Sequence, residues 1–171
     1  MPLSAATWAI IATALGRSPA LAAFLLLAAV AVPLALIDMK VLRLPDPLVG
    51  FAFAGGVLLL SAASLVTGDP GPILRAFTAA ACCGVIYVVP ALVPRTGLGF
   101  GVVKLAAVLG LYLGWWGWFA VIAGLVLTPV VNLPLVIGLL VTGRAGRRTA
   151  MPYGPAMLLA AVLSIVGTAL R

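Results

Sequence analysis

Apolar residues run through this chain in long blocks, broken by short stretches of charge, glycine and proline. A helix that crosses a bilayer needs about 20 predominantly apolar residues. Blocks of that order stand at 20–37 (ALAAFLLLAAVAVPLALI), 47–67 and 72–93. Residues 105–143 carry no charge at all, a stretch too long for one span. The sequence GWWGW (Gly114–Trp118) marks a turn inside it, because glycine bends the chain and tryptophan prefers the membrane–water interface. That divides the stretch into a short span at 103–114 and a longer one at 117–142, and a last block covers 153–170. Residues 3–16 are apolar but short, and read either as a short or tilted span or as an interfacial helix. No basic residue precedes them, which disfavours a cleavable signal peptide. The pattern predicts an all-α, polytopic transmembrane helical bundle. It has six spans, or seven if 3–16 crosses, and forms a single integral-membrane domain over 1–171.

Composition strengthens this reading. Hydrophobic residues make up 65% of the 171 positions and charged residues 8%, against about 45–50% and about 25% in soluble proteins. Mean hydropathy is +1.33. The acidic residues are Asp38, Asp46 and Asp69; histidine and glutamate are absent, and ten Lys/Arg give a net charge of +7. Without histidine there is neither an HExxH zinc site nor a Ser–His pair, so site-2-type metalloprotease and rhomboid-type serine protease chemistries are excluded on ingredients. Cys82 and Cys83 are adjacent, which suits neither a four-thiolate zinc site nor a disulfide, and they read as small core residues.

In a membrane chain the positive charge reflects topology and anionic lipid headgroups, not nucleic acid. Lys40, Arg43, Arg95, Lys104, Arg144, Arg147 and Arg148 fall on one side, and Arg17, Arg75 and Arg171 on the other. The positive-inside rule puts the larger group in the cytoplasm of a multi-pass plasma (inner) membrane protein. Asp38 and the glycine-rich 97–101 loop then face the cytoplasm, whereas Asp69, in TGDPGP, sits in an ordinary turn on the far side.

Two stretches carry candidate chemistry. Asp38, in ALIDMKVLRLPDPLVG, ends a long apolar helix. It is either an interfacial residue paired with Lys40 or Arg43, or a carboxylate set at the membrane surface for catalysis or ion handling. The other stretch is TGLGFGVVKLAAVLG, in which Gly97, Gly99 and Gly101 lead into an apolar helix bearing Lys104. Such glycines let backbone approach backbone or a substrate strand, or serve only packing and turn geometry. Gly110 and Gly114, four apart, suit close helix packing. Lys104 reads as a snorkelling cation, with substrate contact as the alternative. Pro129, Asn132 and Pro134 in TPVVNLP suggest a broken helix, with Asn132 bonded to freed carbonyls or to substrate.

Taken together, these stretches resemble the type IV prepilin peptidases. IDMKVLRLPD is similar to the family's first motif, an aspartate followed by Pro-Asp or Pro-Asn, with Asp38, Pro45 and Asp46 at the matching positions. GLGFGVVKLAAVLG is similar to the second, GxGFGDxKLxAxLG, through Gly99, Gly101, Lys104, Leu105, Ala107 and Gly110. MPYGPAM (Met151–Met157) resembles the stretch that opens the family's last helix. The resemblance implies a GxGD-type intramembrane aspartyl endopeptidase that removes leaders from type IV prepilins and pseudopilins at the cytoplasmic membrane face, without a cofactor. In such a pair one ionised aspartate activates water while its protonated partner polarises the scissile carbonyl, since closely spaced like charges cannot both ionise. The chain resembles the family's short form, which lacks the N-terminal cysteine-containing domain, and the resemblance implies no methyltransferase activity.

One position departs from the pattern. Val102 stands where the second aspartate belongs. Valine carries no proton, and loss of one member of an interdependent catalytic set costs about several orders of magnitude in rate. Asp46, held in the Pro-Asp position, is expected to lie away from the 97–102 loop. Three readings follow: a prepilin peptidase weakened by Val102, a non-catalytic prepilin-binding or pilus-assembly membrane protein, and a small transporter with Asp38 as coupling carboxylate. The last is disfavoured by the boundary position of Asp38 and by the lack of an inverted repeat.

Overall fold

The computed structural model describes residues 18–41, 44–92, 99–141 and 153–169, and all of the regular structure in them is α-helical. The helices are α1 (Leu21–Val41), α2 (Asp46–Thr67), α3 (Gly71–Leu92), α4 (Phe100–Trp116), α5 (Trp118–Val141) and α6 (Gly154–Ala169). Each covers one of the six blocks expected from hydropathy. The 3–16 segment lies outside the described residues, as do Arg17, Arg43, Arg95, Arg144, Arg147, Arg148 and Arg171. Helices α1, α2 and α3 are long and apolar enough to cross a membrane, and the other three contain shorter apolar segments, 100–116, 118–134 and 154–168. Leu58, Leu65, Val66 and Val85 point outward, as suits side chains that meet lipid rather than water.

Helix α4 is the centre of the bundle. It packs on α2, α3, α5 and α6, and its contact with α3 is the most extensive in the molecule. Buried residues occur on every side of it, including Val102, Leu105, Val108, Leu111 and Tyr112, the pattern of a helix enclosed by others. At 17 residues it rises only about 25 Å, less than the ~30 Å hydrocarbon core.

Between α3 and α4 the seam is made of small residues. A Cβ added at Gly110 would lie 2.7 Å from the Ala79 carbonyl oxygen and 3.0 Å from Ala80 Cα. One added at Gly114 would lie 2.6 Å from Ala79 Cβ and 2.8 Å from Ala76 Cα. The two backbones therefore meet where only glycine fits. Arg75 closes the seam: its Nε donates to the Gly114 carbonyl and its Nη2 to that of Trp115, both at 2.7 Å. A cation there satisfies the orphan carbonyls of a helix C-terminus and complements its dipole.

Aromatic packing aligns α1 with α4. Phe24 meets Tyr112 edge-on at 5.5 Å and Trp116 at 6.1 Å. Tyr112 is fully buried, and its hydroxyl donates to the Ala52 carbonyl of α2 at 3.0 Å. At the opposite end Gly101, which opens α4, touches Leu44, just beyond α1. The two helices are thus antiparallel.

Several local expectations need correction. The turn in GWWGW is Gly117 alone, at φ 142°, and Gly114 belongs to the seam instead. Helix α5 is continuous through Pro129 and Pro134 rather than broken; each proline removes one hydrogen bond, whereas unwinding would bare several backbone groups where no water can satisfy them. Only Cys83 is buried, while Cys82 is exposed, because neighbours on a helix point about 100° apart. Asp69 behaves as expected, its Oδ1 accepting from the Gly71 amide at 2.8 Å at the start of α3.

Gly114→Val should destabilise the protein by about 1–3 kcal/mol through overpacking. Gly50→Ala, on an exposed position of α2 with nothing within 4 Å of the added Cβ, should be neutral or stabilise by up to about 1 kcal/mol. Thermal unfolding of the two variants in the same detergent measures the contrast.

Candidate functional site

The motif residues gather at one end of the bundle. At 1.5 Å per residue, Asp38 lies about 21 Å along α1 from Phe24, and Val102 about 21 Å back along α4 from Trp116. Phe24 and Trp116 are in contact, so the two motif positions share the other end. Here α1 and α3 finish, and α2, α4 and α6 begin.

Asp38 is buried, with 4% of its surface exposed. Its Oδ2 accepts a hydrogen bond from the backbone amide of Gly154, the first residue of α6, at 2.8 Å. Of the two pairings that the interfacial reading allows, the one with Lys40 is not formed and Arg43 lies outside the described residues; among the described residues the ion pair formed is Lys104–Asp46. A buried carboxylate therefore sits against a helix N-terminus, where unpaired amides and the dipole favour negative charge.

Val102 occupies the first turn of α4, and its amide donates to the Gly99 carbonyl at 3.0 Å. Its side chain is 7% exposed and belongs to the apolar core. It offers no lone pair and no proton.

Asp46 meets the second motif at Lys104, beyond the 97–102 loop. Its Oδ1 is 2.8 Å from Lys104 Nζ, and Leu44 packs on Gly101, where an added Cβ would come within 3.0 Å of Leu44 Cβ. The connection from α1 into α2 passes beside the first turn of α4, which sequence separation alone does not reveal. Lys104 is half exposed, and Asp46 more so. Such a pair contributes only about 0.2–1 kcal/mol, so it aligns the two motifs more than it stabilises them. Asp46 also begins α2, behind Pro45 at the N-cap, where an acidic residue complements the dipole. Gly99 is the N-cap of α4 and is extended at φ −81°.

Other residues at this end were not assigned to the site from sequence. Gly154 and Tyr153 lie in the MPYGPAM stretch, noted only as the opening of a helix. Tyr153 also lines an open groove of about 270 Å³ with Ile86, Tyr87, Pro90, Leu125, Thr128 and Pro129, between α3 and α5. The available signal was a glycine followed by proline at the head of a helix, which marks close approach and a missing donor. Among the described residues, no cluster of His, Cys, Asp or Glu could hold a metal ion.

The chemistry available is that of one buried, oriented carboxylate. Asp38 can accept hydrogen bonds and exchange a proton, while position 102 supplies only bulk.

Searches of curated proteins and of solved structures return no match. The model of the type IV leader peptidase family matches residues 20–142, a span that holds α1 through α5 and both aspartate-and-glycine motifs. The chain is an integral membrane protein that belongs to the type IV leader peptidase family.

Proposed function

We propose that this chain is an aspartyl endopeptidase of the prepilin peptidase type, built to cleave leaders of type IV prepilins or pseudopilins at the cytoplasmic face of the inner membrane. Its reacting positions are Asp38 and 102. The observation that carries the reading is the meeting of the two motifs: Asp38 is buried at the end of the bundle where the Leu44–Gly101 contact and the Asp46–Lys104 pair dock the first motif on the first turn of α4. Pro45, Asp46, Gly99, Gly101 and Lys104 are then the frame, and Asp38 is the carboxylate that takes a proton from the attacking water.

In the two-carboxylate mechanism the partner of Asp38 is protonated and polarises the scissile carbonyl. Val102 cannot do this. The chain retains the frame and half of the pair, so its turnover is expected to be about several orders of magnitude below that of a two-aspartate enzyme. The burial of Val102 in the apolar core favours one further reading, a membrane protein that binds prepilins or serves pilus assembly without cleaving them.

Val102→Asp separates the two. For the peptidase, co-expression of this variant with a matching prepilin yields leader cleavage on a mobility-shift blot, and Asp38→Asn in the same background abolishes it. For the binding protein, prepilin co-purifies with the unaltered chain and with Asp38→Asn alike, and Val102→Asp gains no proteolysis.

A further inference from the structure

The first amides of a helix lack intrahelical partners, and a Ser, Thr, Asp or Asn side chain at the N-cap commonly accepts one of them. At the head of α6 that solution is absent. Tyr153 precedes the helix and has no such group, and Pro155, the second helical residue, has no N–H to satisfy. Between them Gly154 donates to Asp38 Oδ2, across 116 positions of sequence and in a buried setting. A Cβ at 154 would lie 2.8 Å from Oδ2 and 3.1 Å from Cγ of Asp38. Glycine is therefore what lets the helix end come so close. It is the one hydrogen bond to the Asp38 carboxylate among the described residues, and it joins the last turn of α1 to the first turn of α6.

We propose that Gly154 is the positioning residue for Asp38. Its amide ties Oδ2 to the N-terminus of α6, sets the rotation of the carboxylate, and leaves Oδ1 as the oxygen without a donor among the described residues. The consecutive Tyr-Gly-Pro sequence supplies no N-cap side chain and removes the second amide, so the first amide of α6 takes Asp38 as its acceptor. The functional half of this inference rests on the peptidase reading above, in which Oδ1 is the oxygen that meets water; the structural half does not.

Two measurements on the full-length chain in lipid nanodiscs test it. The first follows hydrogen exchange of the Gly154 amide by NMR with selectively labelled glycine, and needs no activity. The amide is expected to be protected in the unaltered chain and in Asp38→Asn, which keeps an acceptor oxygen, and to exchange at least about tenfold faster in Asp38→Ala. Equal exchange in all three overturns the proposal. The second compares Val102→Asp with and without Gly154→Ala. The added methyl should lower kcat by about 10- to 100-fold while KM stays within about twofold. Unchanged kcat, or a loss confined to KM, removes the positioning role. If Val102→Asp shows no cleavage, the peptidase reading fails alone, and the exchange rates still decide whether Gly154 holds Asp38; they also decide it if Gly154→Ala does not fold.

Discussion

The contact on which the rest of this bundle depends is the glycine seam between α3 and α4. Inside a bilayer, helices gain little by hiding apolar surface from one another, since lipid tails are as apolar as leucine. Association must come from close van der Waals contact and from polar groups that find partners. Gly110 and Gly114 bring α4 against the backbone of Ala76, Ala79 and Ala80, and Arg75 clamps the end of the seam through two carbonyls. With α4 held there, α2, α5 and α6 pack around it. Its first turn then stands at a fixed height, facing the segment that links α1 to α2.

That placement decides how the motifs meet. The first motif contributes its aspartate from the end of one helix and its Pro-Asp from the beginning of the next. The second contributes a glycine, Gly101, that allows Leu44 to approach and a lysine that reaches Asp46. Asp38 is satisfied by neither motif but by the head of α6. The carboxylate thereby accepts the first amide of α6, and a substitution that removes it leaves that amide without this acceptor.

Much of this organisation was legible in the residues. Blocks of apolar sequence located the helices, because twenty residues without charge have few alternatives to a helix in or near a membrane. The spacing of Gly110 and Gly114 pointed to close packing, and the turn chemistry of Asp69 was local enough to read directly. The Asp46–Lys104 pair is not legible in the residues because its members lie far apart along the chain. Pro129 and Pro134 suggest a break in α5 that the cost of baring backbone in lipid prevents.

By itself, then, the sequence determined the class of molecule, the order of the six described helices, and the family, since these follow from composition, block length and motif spacing along one dimension. It also showed that position 102 carries no acid. Only the tertiary structure decided which groups answer one another: Arg75 with the end of α4, Asp46 with Lys104, and Asp38 with the amide of Gly154. Hydrogen bonds and ion pairs act over about 3 Å. Which distant residues come within that reach depends on how the helices pack, and that depended here on a few glycines whose role is visible only once the neighbouring backbone is in place.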